Sequence, residues 1–577
     1  MSLLKFCGIL FDGITMDRFE LGESTIHKDK ADISCHTTHP ASVEEGNYEN
    51  DSSHAYLDKQ MPKKELSREL NMRHLCFLTL GSGIGTGLFI GSGNILSSGG
   101  PGSLMIGFIL LGLMVITVIF AVGELVATFP SAGSYSHMLS RFVHPSFGFA
   151  VGVDYLMTWL IIFPTELTAA CMIIRYWDKD EVVPKGIWVA LIVAGVLTVN
   201  MFGARVFGEV EMLTTTIKML SCVGFIICCV VIVCGGAPNH HYLGAGTWHN
   251  PGAFNNGFKG FSNAFAFAAL AYGGTEVIGV TVGEAGNPRK QLPKASKFVV
   301  YRVIIFFILS LFMVTLLVPY DEPNLVGSSS SPRATPFVLA LKRGKIHALP
   351  AIFNAVILLS VVSVSNTAVY TGSRLLYSMA ESGFLPKIFM YSDRKGRPLA
   401  GFALLFLFGL LGFLVYSSSE DEIFAWLGSI SGMSVILLWM CISLAHVRFR
   451  YAWKKAGYRV CDLPWTSPLG EWGSWFALIL NILVLMATFY ISAFPIGEAE
   501  MDGYERGKAF FQSYLSVVII IVAFLAHKLF TGARFVRIHE IDLHTGRRDP
   551  HMDSETEPEA RADYLKPRWR RILEVFF

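Results

Sequence analysis

Glycine recurs at alternate positions through Gly81, Gly83, Gly85 and Gly87, with Ser82, Ile84 and Thr86 between them and Gly91 following, inside the first long apolar stretch of the chain. Each glycine costs a helix interior about 1 kcal/mol relative to alanine. Such a cluster predicts a broken helix at a depth where lipid cannot solvate free N–H and C=O groups, and a break survives there only when packed in protein or lining a cavity. Its chemistry is that of two half-helix ends. The amides of Thr86 and Gly87 start the second half and suit a carboxylate, while the carbonyls of Gly81 and Gly83 suit an ammonium or another cation. Backbone alone would then answer both charges of an amino-acid zwitterion. A phosphate loop is the wrong reading, since no GKS or GKT follows and no strand precedes.

A second stretch, Phe265 to Gly279, carries the same defect, with Gly273 and Gly274 in its middle after Tyr272 and a carboxylate, Glu276, immediately beyond. An ionisable group just past a midplane break is costly unless it faces a cavity or a partner. Glu276 therefore reads as a gate between the broken helices, a proton carrier, or a fixed salt-bridge strut. Lys218 lies deeper in its apolar stretch than a side chain reaching for headgroups needs to be, so it is either a proton-exchanging group or a snorkelling one. Glu166, after Pro164, is a third intramembrane carboxylate that either touches a substrate side chain or pairs with a neighbour, while Glu124, near an interface, reads as structural. Ser360, Ser363, Ser365 and Asn366 suit cation coordination or helix–helix hydrogen bonding. Trp426, Ser429, Ser431 and Ser434 recur at near-helical spacing and could build a roomy pocket.

The elements that must position these residues are membrane helices. With 577 residues, 52% hydrophobic, 16% charged and 44 Phe, the chain reads as an all-α polytopic membrane protein. A net charge of +2 shows no global bias toward nucleic acid. The ten cysteines are scattered, with no zinc spacing and no disulfide framework. Apolar stretches centre near 75–97, 103–128, 148–174, 187–203, 213–235, 261–283, 301–319, 350–378, 400–416, 423–445, 473–494 and 512–531. A bilayer takes about 20 residues per crossing, which gives about twelve spans. The two defects fall in spans one and six. That spacing predicts two five-span repeats of inverted topology, about 75–236 and 261–445, with two further spans outside them.

Basic residues after span six (Arg289, Lys290, Lys294, Lys297, Arg302), span eight (Lys387, Arg394, Lys395, Arg397) and span ten (Arg448, Arg450, Lys454, Lys455, Arg459) predict cytoplasmic loops there. Both termini are then cytoplasmic. Lys342, Arg343 and Lys345 spoil the pattern, and the apolar Thr335 to Leu341 before them predicts a short interfacial helix. Residues 1–70 are too polar to bury a core and read as a disordered tail, 71–532 as the transporter domain and 533–577 as a second tail.

The chain resembles the fungal amino-acid permeases of the amino acid–polyamine–organocation superfamily, from about span one to its end. The likeness rests on GSGIGTGLFIGSG at 81–93, GELVATFPSAGSY at 123–135, RFVHPSFGFAVGVDY at 141–155, AYGGTEVIGVTVGEAGNPRKQLPKA at 271–295, LLVPYDEPNL at 316–325, YSDRKGRPLAG at 391–401 and SPLGEWGS at 467–474. HEIDLHTGRRDP at 539–550 and KPRWRRI at 566–572 extend it. Several pieces are similar to general, broad-range permeases. The resemblance implies a LeuT-like 5+5 inverted repeat, plasma-membrane residence and proton-coupled uptake of amino acids, with no cofactor beyond the proton. It implies that Gly83, Ile84, Gly85, Thr86 and Gly87 bind the substrate's α-carboxylate and α-amino groups together with Tyr272, Gly273 and Gly274. It also implies that Lys218 replaces the sodium of related carriers, that Glu166 matches a glutamate of broad-range permeases, and that selectivity lies around Trp426, Ser429 and Ser431. Glu276 and Lys218, with Ser363 and Asn366, are the coupling or gating candidates.

By the same resemblance, the tail lysines Lys28, Lys30, Lys59, Lys63 and Lys64 are expected targets of ubiquitin-directed endocytosis. The basic aromatic run from Lys566 to Phe577 suits an anionic inner leaflet. An amino-acid sensor signalling through its tails and a channel are the rival readings. An enzyme is not expected, because no nucleophile, base and orienter come together in the loops.

Overall fold

Glycine and proline placement decides where the helices of this chain begin, break and end. The computed structural model describes residues 70–547, apart from 131–134, 179, 181, 239, 241, 282–287, 326–334, 347, 394–395, 417–419 and 498–500. The tail lysines and the run from Lys566 to Phe577 lie outside the described residues. Every element of any length among those described is a helix.

Helix α1, Met72–Gly81, stops at the glycine run. The chain resumes at Gly87–Gly91 as one π-helical turn that runs directly into α2, Ser92–Thr128. Inside α2 the chain turns at Gly100, whose φ of +79° suits a residue without a side chain, followed by Pro101. That turn is pinned by Gly102 N–H donating to Ala253 O at 2.7 Å and Asn255 N–H donating to Gly99 O at 3.0 Å. Span one is thus α1 plus the first part of α2, and span two is the remainder.

Then come α3 (Tyr135–Phe142), α4 (Pro145–Ile174), α5 (Lys185–Met201) and α6 (Ala204–Val233). Helix α7, Gly257–Tyr272, ends at Gly273, and the one-turn helix α8, Val277–Val280, follows. Helix α9, Pro288–Tyr301, passes through a π-helical stretch, Arg302–Leu309, into α10, Ser310–Leu317. The remainder are α11 (Pro336–Arg343), α12 (Ala348–Glu381), α13 (Leu399–Gly409), α14 (Glu420–Lys455), α15 (Gly470–Ala493) and α16 (Gly503–Thr531).

Among the described residues, eight helices are long and apolar enough to cross a bilayer by length and composition, and two shorter apolar helices, Lys185–Met201 and Leu399–Leu414, accompany them. The two stretches with glycine breaks account for the difference from the twelve apolar stretches of the sequence, because neither α1 nor α7 is long enough by itself. Helix α4 sits centrally, packed on α12, α14 and α16, and α2 packs on α7.

Three expectations are corrected. Arg302 is not a loop charge but lies within a helix, fully buried, and Arg448 and Arg450 are likewise buried inside α14, which runs on to Lys455. The helix expected at Thr335 to Leu341 forms, yet Pro336 to Leu341 are buried in protein, with Phe337 against Phe89, Phe225 and Phe353. It is a packed element, not an interfacial one.

Candidate functional site

The two helix breaks meet backbone to backbone. A Cβ at Gly83, where φ is +80°, would fall 1.9 Å from Gly273 O, and one at Gly87 would fall 2.4 Å from Ala271 Cα. Ser82 Oγ donates to Gly274 O at 2.9 Å, tying one break to the other. Glycine is required here by contact as well as by conformation.

The carbonyl end of α1 faces two buried cations. Lys218 on α6 donates from Nζ to Gly81 O at 3.3 Å and to Ser363 Oγ on α12 at 2.8 Å. Arg302 donates from Nη1 to Thr79 O at 3.2 Å. Unpaired C=O groups at a helix C-terminus carry partial negative charge, so cations belong there. Glu211, two turns earlier on the same face of α6, completes the Lys218 cluster: its Oε1 is 3.8 Å from Nζ and accepts from Ser363 Oγ at 2.7 Å. Asn366 joins by accepting from Asn200 Nδ2 at 2.8 Å. Ser363 and Asn366 thus stand beside Lys218 and link α5, α6 and α12.

At the amide end, Thr86 Oγ1 donates to Glu166 Oε1 at 2.6 Å. Glu166 pairs here with a neighbour. Pro164, which cannot donate to the carbonyl four residues earlier, loosens the turn of α4 that carries it. Gly85 is held against Val364 of α12, its Cβ position 2.7 Å from Val364 Cγ2.

Glu276 is fully buried and is held by hydrogen bonds on both carboxylate oxygens. Its Oε1 accepts from Gly274 N–H at 3.1 Å and Tyr155 OH at 3.5 Å, and its Oε2 from Trp439 Nε1 at 3.4 Å. Tyr135 OH donates to its carbonyl at 2.5 Å. Among the described residues no cation lies within ion-pair distance of it, and Ser82, not Glu276, bridges the breaks.

Tyr272 turns its ring away from Gly83 to Gly87. Its hydroxyl donates to Phe108 O at 2.9 Å, its ring stacks on Phe307 at 4.5 Å, and Gly112 leaves the space it fills. The segment with Trp426, Ser429 and Ser431 lies against α7, where Gly428 faces Phe267 and Leu270 and Gly432 meets Ala266 O. Ser431 returns its hydroxyl to Leu427 O at 3.0 Å, and Trp426 and Ser429 make no hydrogen bond among the described residues. A cavity of about 600 Å³ between α5, α6 and α12 is walled by Trp188, Leu191 and Leu358 and reaches Ser363 and Asn366, away from the breaks.

Two buried carboxylates, Glu211 and Asp154, were not among the residues expected at the site. Asp154 Oδ1 accepts from Ser434 Oγ at 2.9 Å, and Ser434 in turn meets Ser516 at 2.9 Å, which joins α4, α14 and α16. An ionisable residue inside a membrane helix was itself the available signal. Glu124, read as structural, is fully buried, with Arg450 Nε at 2.6 Å, His446 Nε2 at 3.1 Å and Ser467 N–H at 2.7 Å.

Residues 74–540 match the sequence profile of the family described as Amino acid permease. The chain belongs to that family. It is 43% identical to amino-acid permease GAP5 of Candida albicans over 89% of this chain and 83% of that protein. It is 40% identical to general amino-acid permease GAP1 of Saccharomyces cerevisiae over 90% and 86%, and 42% identical to the tryptophan permease of the same yeast over 86% and 84%. A solved structure, MhsT in complex with L-phenylalanine, aligns over 74% of this chain and 99% of its own at a TM-score of 0.49 and 15% identity. The permease is accordingly a multi-pass membrane transporter of amino acids, not an enzyme.

Proposed function

We propose that this permease carries amino acids into the cell across the plasma membrane by alternating access, driven by protons. The observation that carries the reading is the meeting of two interrupted helices whose carbonyl end is held by Lys218, a lysine fully removed from solvent. A buried lysine shared between Glu211, Ser363 and a helix terminus can hold or release a proton, and either change alters its grip on α1. In this reading Gly83 to Gly87 and Gly273 to Gly274 bind the substrate's main-chain groups, and Glu276 locks the second break to α4 and α14. The twelve apolar stretches form two inverted five-span repeats with two spans outside them, and both tails face the cytoplasm.

Relatives named for general, tryptophan and cationic amino-acid transport all align over most of the chain. The shared backbone chemistry at the breaks supports main-chain recognition, and selectivity falls to side chains such as Glu166, Trp426, Ser429 and Ser431. The N-terminal lysines serve ubiquitin-ligase partners, and the basic aromatic C-terminal run meets anionic lipid. The test is uptake of radiolabelled amino acids by proteoliposomes holding the full chain, with and without an inward proton gradient. Accumulation above equilibrium that a protonophore collapses supports proton symport; gradient-independent equilibration would leave transport and remove coupling.

A further inference from the structure

We infer that Arg302 is the second partner of Glu276: the carboxylate bonds α4 and α14 in this conformation, and pairs with the guanidinium once the inner half of span six leaves those helices. The inference rests on the transport reading above and adds to it a positioning residue for the opening step.

Arg302 is only partly used in this conformation. It is fully buried, and its one hydrogen bond among the described residues runs from Nη1 to Thr79 O at 3.2 Å. Nε and Nη2 are buried with no hydrogen-bond partner among the described residues. The Phe307 ring, its centroid 5.3 Å from the guanidinium carbon, covers the group but accepts from neither nitrogen. A guanidinium holds its N–H donors in a rigid fork that fits a carboxylate two-pronged. Buried donors left unmade cost free energy in this state, and a state that supplies the acceptor recovers it.

The free donors stand where the two breaks cross. The position a Cβ would take at Gly83 lies 2.7 Å from Arg302 Nη2 and 1.9 Å from Gly273 O, so the guanidinium and the second break flank the same glycine. Arg302 is also the first residue of the π-helical stretch Arg302–Leu309, an irregularity that recurs at functional positions in helices. Glu276 lies three residues beyond Gly273, outside ion-pair distance of the guanidinium, and each group feels the charge of the other.

The grip on Glu276 is built for release. Gly274 N–H, its donor at 3.1 Å, belongs to its own segment. The donors on other helices are the long ones, Tyr155 OH of α4 at 3.5 Å and Trp439 Nε1 of α14 at 3.4 Å. Hydrogen bonds of that length are weak. Moving the inner half away breaks both and leaves a carboxylate in the membrane interior, where an unpaired charge is costly. Arg302 offers it two empty donors, while Thr79 O and the Phe307 ring hold the guanidinium in place. The charge passes from one set of helices to another without losing its partners.

The test uses the full chain in proteoliposomes and in detergent, with whichever radiolabelled amino acid the unmodified protein accumulates most as the probe. Counterflow reads the conformational exchange, and equilibrium binding in detergent reads the substrate site separately. Arg302→Met should slow counterflow by about a hundredfold, because the displaced carboxylate has no partner, and should leave binding unaltered. Adding Glu276→Gln to R302M removes the need for a cation and should restore counterflow to within about tenfold of the unmodified rate. A merely structural arginine gives the opposite pattern, since a second buried substitution adds to the damage of the first. R302M with unmodified counterflow, or a double variant no faster than R302M, would overturn the proposal and leave the transport reading intact. If the unmodified protein itself shows no counterflow, the transport reading fails and this proposal with it. Should R302M not fold, Arg302→Lys decides, because lysine keeps the charge and loses the fork. Slower counterflow with binding retained supports the pairing, and counterflow at the unmodified rate overturns it.

Discussion

Lys218 Nζ lies 3.3 Å from the carbonyl oxygen of Gly81, so the last turn of α1 ends on a lysine of α6. That contact requires Gly81 to carry no side chain, since a Cβ there would fall 1.8 Å from Thr215 Oγ1. Lys218→Met should remove the cap and strand Glu211 as a buried charge, at a cost of about 3–5 kcal/mol. The double variant Lys218→Met with Glu211→Gln removes both charges and should recover most of that stability without recovering proton-driven accumulation. Thermal unfolding in detergent and vesicle uptake, measured side by side, separate the two effects.

Gly83→Ala should abolish transport by about a hundredfold or more, because the added methyl meets Gly273 O and drives the breaks apart by an ångström or so. A Gly83→Ala protein that still elutes as a monodisperse species and transports at the unmodified rate would show that the breaks need not touch.

Glu124→Ala should fail at folding and not at coupling. Its carboxylate answers Arg450, His446 and the Ser467 amide, all buried, and removing it leaves an uncompensated guanidinium worth about 3–5 kcal/mol. The expected result is loss of folded protein at the membrane. Well-folded Glu124→Ala protein with altered pH dependence of uptake would assign Glu124 a transport role instead.

His144 caps α4 by accepting from Ser146 N–H on Nδ1 at 3.0 Å, which needs a neutral ring. Burial, with Lys528 nearby, pushes its pKa down to about 4. The folded protein therefore binds this proton less readily than the unfolded chain, whose histidine titrates near 6.5. The cap's contribution is complete above about pH 6.5 and declines as pH falls toward 4. His144→Asn, which caps without titrating, should flatten that part of the stability profile in detergent melts between those limits.

Much of the site was legible because its signals are costly: glycine clusters and ionisable residues in apolar stretches are rare unless something offsets them. Gly83, Gly273, Lys218, Ser363 and Asn366 stand out for that reason, and the structure brings the first pair together and the last three together. Arg302, Arg448 and Arg450 were hidden by the same reasoning that orients loops, which counts positive residues near a span end and cannot see that the helix continues past them. Direction of side chains was also beyond reach. Nothing in the order Ala271, Tyr272, Gly273 says that the phenol turns toward Phe108; only the hole at Gly112, on a distant segment, decides it.

That hole constrains motion. Phe108, Tyr272 and Phe307 pack as one cluster, Tyr272 tilted against Phe108 at 5.5 Å and stacked on Phe307 at 4.5 Å between ring centroids, and rivet the end of α7 to α2 and to the helix of Phe307. A riveted end cannot swing by itself. Any rocking of span six must therefore crease at Gly273 and Gly274, so the outer half travels with its neighbours as one slab and the inner half swings on a two-residue hinge.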